Sequence, residues 1–412
     1  MRSRLAAALV CAALAGAAHA EPDAALLGEA QGYPLGTAAT LFQPTHRVGA
    51  WSALDQVPGV RVRRVAAPAQ AQPLPRVAGA VPIRYRFRNL SYTLDDYLER
   101  HRATGLLVLK DGQVVAEHYR YGRKEDARFL SFSMAKSVTS LLVGIALDKG
   151  LIASLDDPAQ KYAKGLQGTP YGATSLRHLL RMSSGLVFSE RYDGNDDSAR
   201  MGRAFAGAPG GTLEVLRTIQ DRHAEAGAVF RYASAETDVL GRVLAGATGR
   251  TLADLTSEWL WMPIGAEREA FWRIGGDGQE GASGYFNATL RDWGRLGLLL
   301  ANDGRVGDRQ VVAREYLLDA TDPARQPPAM QPRRATPYMG YGYQLWLMPL
   351  AERTFAMQGV YGQGLYVQPA SGIVMVVTSV WQQPSGQQDP APGNERNALW
   401  LGVLRSLGGR TE

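Results

Sequence analysis

Cysteine is almost absent: Cys11 is the only one in 412 residues. A chain beginning at Glu21 would contain none. That excludes disulfides, thiol nucleophiles and cysteine-held metals. Histidine is scarce too, and the six (19, 46, 101, 118, 178 and 223) show no metal-ligand spacing. His178, inside a helical apolar pattern, reads as structural. No cofactor motif is present, neither a phosphate loop nor a dinucleotide fingerprint; "GYGYQL" at Gly340 lacks the third glycine. No Gly-x-Ser-x-Gly elbow appears, so an α/β-hydrolase nucleophile is missing. No apolar run reaches the roughly 18 residues of a membrane span. The basic residues are dispersed, which gives no nucleic-acid footprint.

The first twenty residues read as a secretory signal. Arg2 and Arg4 form a basic start, Leu5 to Ala17 a small apolar centre, and Ala18-His19-Ala20 a small-x-small cleavage site. Val10 is too bulky before Cys11 for a lipoprotein site. Without the two arginines the net charge falls from +6 to +4. The expectation is a secreted, periplasmic protein cleaved after Ala20.

Residues 21–90 have weak periodicity and include "VAAPAQAQPLPR", which reads as an irregular arm or linker. "LDDYLERHR" (94–102) then suggests a short helix. "GLLVLKDGQVVAEHYRYG" places two β-rich runs around Asp111-Gly112, a hairpin signal. The pattern predicts a helix over 133–149, ended by Gly150. Helices and loops dominate 156–275, with "TSLRHLLRMSSG" and "TDVLGRVLAGATG" the clearest helices. "TLRDWGRLGLLLANDG" reads as a helix with Thr289 and Asp292 as a capping pair. Strands return in "GYGYQLWLMP", "FAMQGV", "GLYVQP" and "GIVMVVTSVW", and "ERNALWLGVLRSLG" closes the chain as a helix. This order predicts an α+β fold: an antiparallel sheet built from 91–155 and 276–412, flanked by helices, with a mainly helical domain, 156–275, inserted.

The chemistry centres on "SFSMAKSVTS". A serine hydroxyl needs a neighbouring base to act as a nucleophile. Ser133 and Lys136 are one helical turn apart, on one face. A lysine held partly neutral would serve as that base. The helix start also offers backbone N–H groups to an oxyanion, Ser133's own among them. Ser-x-x-Lys alone is weak, since a capping serine and a solvated lysine give the same letters. Here, however, Lys136 is the sole charge in the 16 residues from Phe132 to Leu147, and a buried lysine needs a reason. Within "FRYASAETDVLGRVL", Tyr232 and Ser234 precede a helix. A tyrosine beside an ammonium would have its phenol pKa lowered, which suits Tyr232 to proton transfer; a packed core tyrosine is the plainer alternative.

"SFSMAKS", "LRHLLRMSSGL", "FRYASAETDVLGRVL", "RDWGRLGLLLANDG" and "GVYGQGLYVQP" occur in an order and spacing that resembles the β-lactamase-like serine hydrolases, over about residues 90–405. These include class C β-lactamases, D-Ala-D-Ala carboxypeptidases, family VIII esterases and 6-aminohexanoate-dimer hydrolases. The last are the most similar, through "FRYASAETDVL". The resemblance implies the β-lactamase/transpeptidase-like fold. It makes Ser133 the nucleophile, Lys136 its partner and Tyr232 the general acid/base. It also implies Tyr192, in "FSERYDGN", as a substrate contact, with Ser234, Tyr361 and Gly362 lining the same site. A strand N–H near Val360 would be the second oxyanion donor.

The sequence departs from the family in one place. Lactamases and carboxypeptidases carry a Lys-Thr-Gly or His-Thr-Gly cation on the strand lining the site. Here "MQGVYGQGLYV", Met357 to Val367, contains no Lys, Arg or His. Glycines 359, 362 and 364 still permit a close backbone approach. The absence favours a neutral, small-molecule ester or amide over a β-lactam. A true β-lactamase or carboxypeptidase is the runner-up. A penicillin-binding sensor that acylates without turnover is the reading from another class. No metal or cofactor is expected.

Overall fold

The computed structural model describes residues 21–207 and 210–412. The expected signal segment lies outside them. Seven strands form the main sheet: β1 (Ala103–Lys110), β2 (Gln113–Tyr119), β3 (Gly340–Tyr341), β4 (Trp346–Leu347), β5 (Phe355–Gly359), β6 (Gln363–Gln368) and β7 (Ile373–Ser379). Their order is β3-β4-β5-β6-β7-β1-β2, antiparallel throughout, so the two ends of the chain meet where β7 pairs with β1. The β1–β2 turn is Asp111-Gly112, with both residues at positive φ, as a tight hairpin requires.

Alternation along these strands feeds two cores. Leu107, Leu109, Val374 and Val376 join the core that holds α1 (Met134–Asp148), α2 (Ser234–Thr248) and α3 (Leu290–Ala301). Leu106, Val108, Met375 and Val377 face the other way, onto Leu399, Trp400 and Val403 of α4 (Ala391–Ser406). Thr289 caps α3 by accepting from Asp292 N–H, as its sequence indicates. Helix α1 runs through the main core, and every residue from Met134 to Ala146 is buried. A helix apolar on all sides belongs in such a place, and this is what puts Lys136 out of water.

Several segments differ from expectation. The segment 21–90 is packed rather than loose. It contributes helix Pro44–Ala50 and strand Arg61–Val65, and buries Leu27, Leu41, Trp51 and Leu54 against Leu130, Phe132 and Phe271. Strand Arg61–Val65 belongs to a second sheet, ordered Arg61–Val65, Ala270–Ile274, Phe286–Thr289, Arg128–Leu130. The stretch 156–275 therefore ends in a strand. The helix expected in "TSLRHLLRMSSG" is only Leu176–Leu180, because Met182 turns to φ 54 immediately beyond it. Among the described residues, no helix is long and apolar enough to cross a membrane.

Candidate active site

The turn before α1 positions the serine. Strand Arg128–Leu130 ends, Ser131 N–H donates to Phe286 O, and Phe132 adopts φ 44. A non-glycine residue there costs about 1 kcal/mol or more. Packing holds it: the Phe132 ring meets Trp51 at 4.9 Å and Tyr361 at 5.5 Å. Ser133 follows at the N-cap position of α1, yet its hydroxyl caps nothing. It lies instead 2.9 Å from Lys136 Nζ, which also donates to Ser283 O at 2.7 Å. Met134 and Ala135 spend their N–H groups on Ser131 O and Phe132 O, leaving that of Ser133 without an acceptor among the described residues.

The other hydroxyls of this stretch anchor α1. Ser137 donates to Gln344 O, Ser140 to Tyr343 O, and Thr139 to Ala282 O. They bond across to neighbouring loops rather than within the helix. Thr139 and Lys136 together fasten the segment 282–283 over the helix start.

Lys136 is 1% exposed. Burial lowers its ammonium to about 8, and the nearby Glu190 charge pulls it partly back up. Near neutral pH a useful fraction of the amine is unprotonated. Held through one N–H by Ser283 O, that amine has a lone pair to accept the Ser133 proton.

Tyr232 completes the cluster. Its hydroxyl interacts with the Ser133 side chain, its ring stacks on Trp346 at 5.6 Å, and Lys136 Nζ lies 5.2 Å from the ring centroid. Its electrostatics reverse the expectation of a lowered phenol. Burial drives the pKa well above the ordinary range, the Glu190 charge adds to this, and the Ser133 interaction offsets only part. Lys136, with its pKa near 8, has lost its charge before this phenol titrates and so supplies no opposing field. Tyr232 therefore rests as a protonated phenol, suited to donating a proton.

Sequence reasoning missed Glu190. Its carboxylate accepts from Ser234 N–H (2.6 Å), Ser234 Oγ (2.7 Å) and the Tyr192 hydroxyl (2.7 Å). It thus ties the Tyr192 loop to the start of α2. Nothing in "FSERYDGN" distinguishes this glutamate from a surface one. Ser234 is the first residue of α2 rather than a residue before it, and its hydroxyl is committed to Glu190.

The strand residues divide. Gly359 lies against the turn before α1: a Cβ there would stand 2.4 Å from Ser131 O. Tyr361 adopts φ 60, with its ring against Trp51 (4.8 Å) and under the Arg47 guanidinium (4.7 Å). Tyr361 N–H donates to Pro384 O, which leaves Val360 N–H as the donor this turn has to offer. Gly362, expected in the site, faces away: a Cβ on it would meet the Trp381 indole at 2.5 Å. The turn at Tyr361 rotates it out.

Ser133, Glu190, Tyr192, Ser234, Val360 and Tyr361 line one cavity of about 500 Å³. Phe42, Phe132, Met201 and Phe205 give it apolar walls. Arg203 and Arg273 also reach it, so the cavity has cations although β5 and β6 carry none.

The β-lactamase family model matches residues 91–399. A 6-aminohexanoate-dimer hydrolase of Paenarthrobacter ureafaciens is 29% identical over 304 residues, covering 71% of this chain and 76% of that one. A Bacillus anthracis structure assigned to the 6-aminohexanoate-dimer hydrolases superposes with TM-score 0.77 at 22% identity, covering 89% of this chain and 95% of the other. A family VIII carboxylesterase superposes with TM-score 0.57 at 16% identity, covering 75% and 93%. At those identities the two structures speak for a shared fold.

Proposed function

This chain belongs to the β-lactamase family and is a hydrolase of that fold, and from that premise we propose that it cleaves a carboxylic ester or amide through an acyl-enzyme on Ser133. The observation that carries the reading is the Ser133 hydroxyl, which caps no helix and lies 2.9 Å from a buried lysine amine. Ser133 Oγ attacks the carbonyl carbon as Lys136 takes its proton. The Ser133 and Val360 N–H groups receive the oxyanion. Tyr232 donates its phenolic proton to the leaving oxygen or nitrogen, and the Lys136 ammonium restores it. Water then attacks the acyl-enzyme by the same route in reverse, and releases the acid.

Strands β5 and β6 do not favour the β-lactam reading. Gln358 and Gln363 occupy the strands where a cation would be needed. The nearby Arg396 guanidinium is engaged by Gln358 Oε1, Gln363 O and the Tyr366 hydroxyl. The test is turnover by the purified protein. p-Nitrophenyl acetate and butyrate are expected to be hydrolysed with multiple turnovers, and nitrocefin with far lower kcat/KM. A nitrocefin efficiency equal to that on the esters would favour the lactamase. A stable penicillin adduct without ester turnover would favour a sensor.

Glu190 sets a second expectation. Its charge raises the Lys136 pKa, so Glu190→Gln lowers it further below about 8. If neutral Lys136 is the base, the rising limb of the pH profile of kcat/KM moves to lower pH. A pH–rate profile of the variant checks this. A shift to higher pH would contradict the assignment.

A further inference from the structure

The charged side chains that line the cavity are nearly all engaged. Glu190 holds Ser234 and Tyr192. Asp196 caps helix Asp197–Ala206 through Ala199 N–H, and Asp238 meets Thr212 and Arg242. Arg203 donates to Gly194 O. Outside the lining, Arg47 is spent on the carbonyls of Phe42, Trp381 and Gln382.

Arg273 is the exception. It is 8% exposed and lines the cavity, and among the described residues its guanidinium has no carboxylate or carbonyl partner. Only two aromatic rings hold it, Tyr285 at 5.1 Å and Phe205 at 5.4 Å. Those rings stack on each other at 4.7 Å and 5°. Rings that engage the face of a guanidinium fix its plane and leave its edge N–H groups for an acceptor. Burying a cation without an anion is costly. The arrangement also connects directly to the reacting serine. Tyr285 is two residues beyond Ser283, whose carbonyl holds Lys136, and Tyr285 O accepts the Arg273 N–H. Residues 282–284 form a turn, closed by Tyr285 N–H donating to Gly281 O.

We propose that Arg273 is a carboxylate-binding residue, and that the substrate is an ester or amide carrying a free carboxylate on a short arm from the bond that is cleaved. This rests on the hydrolase reading above. It replaces the expectation of a neutral substrate, because the cation missing from β5 and β6 is supplied by strand Ala270–Ile274 on another wall. A forked guanidinium binds a carboxylate through two parallel hydrogen bonds.

The experiment compares matched substrates. Mono-p-nitrophenyl adipate is set against p-nitrophenyl hexanoate, and 3-(hexanoyloxy)benzoate against phenyl hexanoate. The carboxylate member of at least one pair is expected to have the higher kcat/KM. Arg273→Gln should lower that preference by at least about tenfold, mainly through KM, and Arg273→Lys should recover part of it. Thermal unfolding of each variant separates misfolding from lost recognition. Equal efficiencies within both pairs, or a Gln variant that lowers both members alike, would overturn the proposal. If no ester is turned over, the hydrolase reading fails, and calorimetry with adipate decides this one separately. Binding to the unmodified protein that Arg273→Gln abolishes supports it; no binding, or equal binding, overturns it.

Discussion

Replacing Ser133 with alanine is expected to lower kcat/KM for ester hydrolysis by about 10⁴-fold or more, with little change in stability. The hydroxyl contributes nothing to the helix it begins: as the N-cap residue it makes no side-chain cap bond. Removing it therefore avoids the penalty of about 1 kcal/mol that usually follows loss of a capping serine. The remaining site keeps its oxyanion donors and its cavity, but no atom can form the acyl bond. Residual activity would be uncatalysed attack by water within a polar pocket. A Ser133→Ala variant with more than a few per cent of wild-type kcat/KM would remove the serine from the mechanism. A large fall in its melting temperature would mean that the hydroxyl is structural after all.

Replacing Lys136 with methionine is expected to cost about 10²–10⁴-fold in kcat/KM, again without unfolding the protein. Methionine keeps most of the stem volume in a fully buried position, and removes an amine that burial already disfavours as a cation. The pH dependence gives the sharper reading. With its pKa lowered to about 8, Lys136 is mostly protonated at pH 6 and mostly neutral at pH 9. Wild-type kcat/KM should therefore rise through about pH 8 and level off above it. The methionine variant should lose that limb. If the limb persists in the variant, another group is the base; Tyr232 is a poor candidate, because burial and Glu190 both hold its phenol protonated.

Long, periodic, glycine-ended elements were legible in the sequence. The hairpin at Asp111-Gly112 and helices α1 and α3 are of this kind, because their patterns span several turns or pairs. The second sheet was not legible. Its strands are only 3–5 residues long and pair segments far apart, as Arg61–Val65 does with Ala270–Ile274. No local period records such a pairing. For the same reason the segment 21–90 read as an arm.

The candidate site shows the same division. Ser133 and Lys136 stood out because a lone charge in an apolar helix is visible in the letters. The identity of Tyr232 was visible too, but not the direction of its pKa. That depends on Trp346, Tyr341 and Glu190, which come from distant segments. Gly362 was misplaced because one left-handed residue, Tyr361, redirects the turn. Arg273 was invisible because its strand was unread. The absence of a cation from "MQGVYGQGLYV" was therefore read as the absence of a cation from the site.

The measurement that tests the central claim most directly is the intact mass of the protein mixed with p-nitrophenyl acetate and quenched in acid during turnover. The wild-type protein is predicted to gain one acetyl group, which peptide mapping places on Ser133, and the Ser133→Ala variant to gain none. Turnover without any adduct, an acetyl group on another residue, or an adduct that survives in Ser133→Ala would contradict it.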